Sequence, residues 1–165
     1  MSPLVLVALG SNRGDSLAIV QNAMRELERL AAGRLRASSL WRTSPVDCPP
    51  GSADYINAVV AFEARADLSS RSLLDELKAL ERAHGRAAPD ARNAPRELDL
   101  DLLLFGAEQR ADAHLTLPHP RAHLRRFVLA PAAEVAAGVV WPGLERTVAE
   151  LLARLDDRDI AIRLD

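Results

Sequence analysis

The sequence predicts an α+β domain built on a largely antiparallel sheet. Apolar runs of strand length at 3–11, 55–64 and 96–105 supply candidate buried strands. Segments at 16–32 and 69–85 carry leucines at helical spacing. The two kinds of segment are interspersed without strict β-α alternation, which disfavours a parallel doubly wound sheet.

"PLVLVALGS" (3–11) is almost continuously apolar, as a central strand buried on both faces would be. "NRGD" then turns the chain, with Asp15 or Ser16 as helix N-cap. Leu17, Val20, Met24, Leu27 and Leu30 form one helical face to about Ala32, and Gly33 is the expected stop. "RLRASSLWRT" (34–43) alternates enough to read as one strand. "SPVDCPPGSAD" (44–54) is a loop by composition, and "YINAVVAFEA" (55–64) is a strand with β-branched Val59 and Val60. The helix at 69–85 places Leu73, Leu77 and Leu80 on one face. "RAAPDARNAP" (86–95) has two prolines and no periodicity, and its length marks it as a lid or binding loop.

"RELDLDLLLF" (96–105) is the strand that follows. Strict alternation puts Leu98, Leu100, Leu102 and Leu104 on one face, and Asp99, Asp101, Leu103 and Phe105 on the other. After a turn at 106–110, "LTLPHPRAHLRRFVLAP" (115–131) reads as strand, loop, short helix and a second strand. "PAAEVAAG" and "TVAELLARL" look helical; "VVWP" and "DIAIRL" look extended.

The 165 residues suffice for one domain with a real core, and no repeat or interdomain linker divides them, so 1–165 is read as a single domain. A net charge of −2 gives no basic field that would argue for nucleic acid. No apolar run has spanning length, and no signal peptide is recognisable at the N-terminus. One cysteine, Cys48, excludes an internal disulfide and suits a reducing cytoplasm; it has no companion that would make it a nucleophile. No heptad or long amphipathic seam demands a partner, and the residues themselves fix no oligomeric state. Lys78 is the only lysine, so an anionic ligand would be held by arginine, whose fork suits phosphate oxygens.

Asp99 and Asp101 are the first chemical signal. Two residues apart on a strand, their carboxylates share a face within about 7 Å. A divalent cation would relieve both their repulsion and their desolvation, and an oxygen-only donor set favours Mg²⁺ completed by substrate phosphates. Two solvated aspartates on an open sheet face are the alternative. Arg86, Arg92 and Arg96 precede them, and Arg121, Arg125 and Arg126 follow His119. Acid pair and arginine clusters together suit a polyphosphate with its metal. "HPRAH" (119–123) lacks the partners of a zinc site, leaving a histidine that contacts phosphate or donates a proton. "LGSNRGD" lacks both the Walker ending and the dinucleotide fingerprint, and reads as a tight turn before a capped helix. Tyr55 and Phe127 are core residues or the walls of a flat pocket.

Four stretches in order, "VALGSNRGD", "WRTSP…DYINAVV", "RNAPRELDLDLL" and "LPHPRAHLRRFVLAP", strongly resemble the 6-hydroxymethyl-7,8-dihydropterin pyrophosphokinase family of folate biosynthesis. The resemblance runs from about residue 4 to the final helix. It implies a three-layer α-β-α sandwich with a ferredoxin-like sheet. It also implies transfer of pyrophosphate from ATP to the hydroxymethyl group of a reduced pterin, leaving AMP. By motif, Asp99 and Asp101 would bind two Mg²⁺, and Arg86 and Arg96 would be catalytic loop arginines. ATP would meet His119, Arg125 and Arg92, with Leu102, Leu115 and Thr116 near the adenine. The pterin would be sandwiched by Tyr55 and Phe127, read by Asn57, and bordered by Thr43, Val46 and Asp99. Glu81 matches a helix position of the family motif, with a structural role open beside it. Asn93 and Ala94 stand where the family often has Trp and Gly. Ala88 and Pro89 replace basic residues of some members, and Pro120 a Tyr. The same acid pair also suits two rivals, a metal-dependent phosphohydrolase and a non-catalytic ligand-binding module.

Overall fold

A computed structural model describes residues 2–44, 50–85, 97–156 and 160–164. Its elements in order are β1 (Leu4–Ser11), α1 (Ser16–Leu27), β2 (Arg36–Ala37), β3 (Trp41–Thr43), β4 (Tyr55–Glu63), α2 (Ser70–Ala83), β5 (Asp99–Phe105), β6 (Arg110–Ala111), β7 (Thr116–Leu117), α3 (Arg126–Ala136), β8 (Val140–Trp141), β9 (Arg146–Thr147), α4 (Val148–Ala153) and β10 (Ala161–Arg163). The main sheet has the order β10-β3-β4-β1-β5, with β2 also pairing β4. Every one of its pairings is antiparallel. β1 and β3 therefore run parallel with β4 between them, and β4 and β5 run parallel with β1 between them. These are two interleaved β-α-β units, the ferredoxin-like arrangement.

Each sheet face has its own core. Val5, Val7 and Leu9 of β1 point to one, where Val20, Ala23 and Leu27 of α1 and Leu73, Leu77 and Leu80 of α2 cover them. Leu6 and Ala8 point to the other, beneath Val128, Leu129 and Ala132 of α3 and Val148 and Leu151 of α4. Helices on both faces explain why β1 and β4 are apolar almost throughout rather than alternating. β5 differs. Its first residues alternate between half-buried aspartate and buried leucine, and only its second half is buried throughout. The acidic positions therefore mark where the second helical layer stops.

Asp15 caps α1, its Oδ1 accepting the Ala18 N–H at 3.3 Å. Ser69 and Ser72 form a reciprocal capping box at the start of α2.

Four expectations change. α1 ends at Leu27 and continues as a 3₁₀ turn over Glu28–Leu30; Ala31 is already extended and bridges Ala64, so Gly33 is not the helix stop. The strand expected at 34–43 is broken at Ser38. There the Ser38 N–H donates to the Val59 carbonyl, and the Val59 N–H donates to Ser38 Oγ, both at 2.9 Å. A hydroxyl thus replaces a backbone carbonyl in the ladder. The strand expected in "FVLAP" is the start of α3, because a short continuous apolar run does not distinguish a buried strand from a buried helix. Finally, alternation in β5 fails after Leu102. Leu6 pairs with Leu104 and Val7 with Leu102, so Leu103 is an extra, bulged residue. Leu103 and Leu104 both enter the second core, and Phe105 enters the first.

Candidate active site

The strand register assembles one row of side chains across the second face. Trp41 pairs with Asn57, Asn57 with Gly10, and Gly10 with Asp99. Ala8, which faces the second core, pairs with Asp101, so both aspartates look toward that face. The expected acid pair is therefore present, on the sheet's edge strand, half-buried. Thr43 pairs with Tyr55, two residues along from Asn57 and on its side.

Gly10 sits where the row needs no side chain. A Cβ there would lie 3.1 Å from Asn57 Oδ1 and 3.5 Å from Tyr55 Cδ1. The amide and the ring thus fold over the bare backbone of β1. Asn57 Nδ2 donates to Thr43 Oγ1, and both residues are buried. That bond fixes the amide and turns Oδ1 toward Gly10. Phe127 begins α3, half-buried against the second core. The Arg125 guanidinium carbon lies 5.5 Å from the centre of its ring, within cation–π range.

A cavity of about 340 Å³ opens at the β5 edge. Leu74, Lys78 and Glu81 of α2 form one wall, residues 99–102 the floor, and His114, Leu115, Thr116, His119 and Pro120 the other wall. It gathers Asp99, Asp101, Leu102, Leu115, Thr116 and His119, the residues that sequence assigned to metal or nucleotide, together with Glu81 of the family motif. Arg125 is not in its lining; it is stacked on Phe127. Val46, Arg86, Arg92 and Arg96 lie outside the described residues, as do Cys48 and the departures at Ala88, Pro89, Asn93 and Ala94.

His119 is held from three sides. Its N–H donates to the Leu103 carbonyl at 2.9 Å. Its Nδ1 accepts the N–H groups of Arg121 at 3.2 Å and Ala122 at 3.1 Å. An accepting Nδ1 places the proton of the neutral ring on Nε2. Burial, then the charges of Arg125 and Arg121, push the ring's pKa down to about 4, against the pull of Asp99. At neutral pH His119 is an uncharged N–H donor.

Glu81 is nine-tenths buried, and its Oε2 accepts the Leu100 N–H at 2.8 Å, joining α2 to the edge strand between the two aspartates. Its sequence signal was the match to the family motif, and the structural role left open beside it is the one these contacts show. Lys78, the sole lysine, stands exposed at the cavity mouth. Leu74 and His114 carried no sequence signal. Buried Asn12 was read only as part of a turn; its Nδ2 donates to the Ala53 carbonyl at 3.3 Å, two residues before Tyr55.

Among the described residues, no group of three or more His, Cys, Asp or Glu side chains is placed to enclose a metal ion. Two carboxylates on one face fit a hard cation that keeps water or takes phosphate oxygens for its remaining positions. No helix among those residues is long and apolar enough to cross a membrane.

A model of the 7,8-dihydro-6-hydroxymethylpterin-pyrophosphokinase (HPPK) family matches residues 6–137. A 2-amino-4-hydroxy-6-hydroxymethyldihydropteridine pyrophosphokinase of Synechocystis is 39% identical over 151 residues, covering 92% of this chain and 75% of its own. The protein of that name from Haemophilus influenzae is 36% identical over 152 residues, covering 92% of both chains. Among solved structures, wild-type Plasmodium falciparum HPPK-DHPS with pteroate superposes with a TM-score of 0.70 at 12% identity. The match covers 93% of this chain and 42% of that one, so the chain spans less than half of that longer protein and shares its fold over that part.

Proposed function

Because the chain belongs to the HPPK family, and is an ATP-dependent pyrophosphokinase of folate biosynthesis, we propose how its residues divide the work. The enzyme transfers pyrophosphate from ATP to the hydroxymethyl group of 6-hydroxymethyl-7,8-dihydropterin, releasing AMP. In the proposed arrangement, ATP occupies the edge cavity and the pterin lies along the row from Asn57 to Asp99.

The row is the observation that carries this reading. Asn57 and Asp99 are two strand spacings apart, about 10 Å. A two-ring heterocycle read at one end by Asn57 Oδ1 would bring its hydroxymethyl arm to Asp99. Tyr55 and Phe127 offer ring faces for it to stack on. Asp99 belongs to both the row and the cavity, so the two substrates would meet there.

The hydroxyl oxygen attacks the β-phosphorus and AMP leaves in line, a reaction governed by positioning and charge neutralisation. Asp99 and Asp101 would hold two Mg²⁺, which neutralise and orient the triphosphate when bound. His119 would donate from Nε2 to a phosphate oxygen without adding charge. Arg125 would serve the phosphates and flank Phe127. Leu102, Leu115 and Thr116 would line the base. Arg86, Arg92 and Arg96 would add cations from the preceding loop, and Arg86 and Arg96 would act in the transfer itself. Val46 would complete the pterin pocket beside Thr43. The enzyme would work as a single-domain monomer in the cytoplasm.

The deciding assay supplies ATP and Mg²⁺ with and without the dihydropterin. AMP should form only with the pterin present. Phosphate release at an equal rate without it would reject this assignment in favour of hydrolysis.

A further inference from the structure

The wall of the cavity that faces α2 is built on the hairpin β6–β7. Each of its strands has two residues, too few for ladder hydrogen bonds alone to hold a wall in place. A continuous chain of side-chain contacts supplies what the ladder lacks. It starts at Ser70, the buried first residue of α2, whose Oγ donates to the Glu108 carboxylate. Arg110 Nη1 donates to the same Ser70 Oγ at 3.2 Å and lies 3.9 Å from Glu108 Oε2. Arg110 Nε then donates to Asp112 Oδ2. Asp112 Oδ1 accepts the N–H groups of His114 at 2.9 Å and Leu115 at 3.0 Å. The Asp112 N–H closes the turn on the Leu115 carbonyl at 3.1 Å.

We propose that Arg110 and Asp112 are positioning residues for the nucleotide. Through Ser70 they set the distance between α2, with Leu74 and Lys78, and the wall carrying His114, Leu115 and Thr116. Neither lines the cavity. The inference rests on the reading that ATP occupies this cavity. The contacts suit the task. A carboxylate accepting two adjacent N–H groups fixes the backbone at the residues that face the ligand. A guanidinium joins that carboxylate to a helix hydroxyl in two directions at once. Those N–H groups and Arg110 also hold the Asp112 carboxyl down at about 2, so the link stays charged across any ordinary assay range. Arg110 and Asp112 are over a third exposed, so cutting the link disturbs the wall more than the cores.

The test measures binding of a non-hydrolysable ATP analogue with Mg²⁺, and separately of the pterin, by calorimetry. Asp112→Ala should weaken the analogue about tenfold, the loss of more than one hydrogen bond, and leave pterin affinity unchanged. Asp112→Asn keeps the Oδ1 acceptor for both N–H groups but turns a donor toward Arg110 Nε, so it should recover only the part of the loss owed to those two N–H groups. Arg110→Met cuts the same link and leaves those two N–H groups capped, so it should match Asp112→Asn. Equal weakening of both ligands, an unchanged analogue affinity in Asp112→Ala, or no rescue by Asn would overturn the proposal. Leu74→Trp, which fills the cavity from α2, separates the two levels. If it binds the analogue like wild type, the nucleotide is elsewhere and both readings fall. If it abolishes binding while Asp112→Ala does not weaken it, only the positioning role falls.

Discussion

The two sides of this site are held by different forces. Before it reaches Asp99, the row through Asn57 lies on β3, β4 and β1, strands with neighbours on both sides. Its polar groups are buried and bonded to one another, Asn57 to Thr43. The cavity side lies on the edge strand β5, one helix face and a hairpin with two-residue strands, and His114, Thr116 and Lys78 are exposed. Backbone ladders fix the first side, and side-chain pairs fix the second. Substitutions on the first should therefore act through displaced geometry and be severe. Substitutions on the second should act through one interaction at a time and be graded.

Asp99 belongs to both sides, so its loss tests the comparison hardest. Asp99→Ala should lower kcat about 10³-fold, with unchanged circular dichroism. A variant with near-normal turnover would remove the aspartate from the chemistry. Gly10→Val comes next. The site leaves 3.1 Å between a Cβ and Asn57 Oδ1, so a branched side chain must push the amide and the Tyr55 ring off the row. An ångström of misplacement costs on the order of 100-fold. That loss should fall on kcat/KM for the pterin while nucleotide binding holds. Equal damage to nucleotide binding would show that the two sides are not independent.

The same contrast explains what was legible in the sequence. Continuous apolar runs announced β1 and β4, because burial on both faces leaves a composition signal. The DLD of β5 was legible as an acid pair on one face, and the structure adds that the second helical layer ends there. Leu103 shows the limit: a bulge shifts the phase without changing composition, so alternation misassigned Leu104 and Phe105. Ser38 shows another, since a hydroxyl that interrupts a ladder is local chemistry with no periodicity. Tyr55, Asn57 and Phe127, which we propose meet the pterin, became legible as a site through family resemblance. The cavity wall opposite them was only partly so. Leu74 and Lys78, four apart, share a helix face, but only tertiary packing brings His114 to the same cavity.

His119 gives a pH-dependent test on the cavity side. Its folded pKa of about 4 lies below the ordinary value of 6.5. Between these limits the unfolded chain binds a proton that the folded chain does not. The stabilisation is therefore complete above about pH 6.5 and is lost as pH falls toward 4. Allowing for partial exposure, about 2 kcal/mol should disappear over that window in the ligand-free protein. His119→Asn keeps an acceptor for the Arg121 and Ala122 N–H groups and removes the titration. Denaturant melts at pH 7 and pH 4.5 should differ less in this variant than in wild type. An equal difference would place the acid sensitivity elsewhere.

The smallest effect belongs to Lys78. It is the one ammonium in a chain of arginines, and it stands at the cavity mouth in water. An exposed charge acts through high dielectric and is screened by salt, so it contributes under about 1 kcal/mol. Lys78→Met should raise the KM for ATP about threefold at low salt, with kcat unchanged, and the difference should vanish near 1 M salt. An effect that survived high salt, or reached the size expected for Asp112→Ala, would mean that the ammonium is desolvated when ATP binds. The mouth would then close around the nucleotide, and the contrast between a fixed side and a graded side would hold only for the free enzyme.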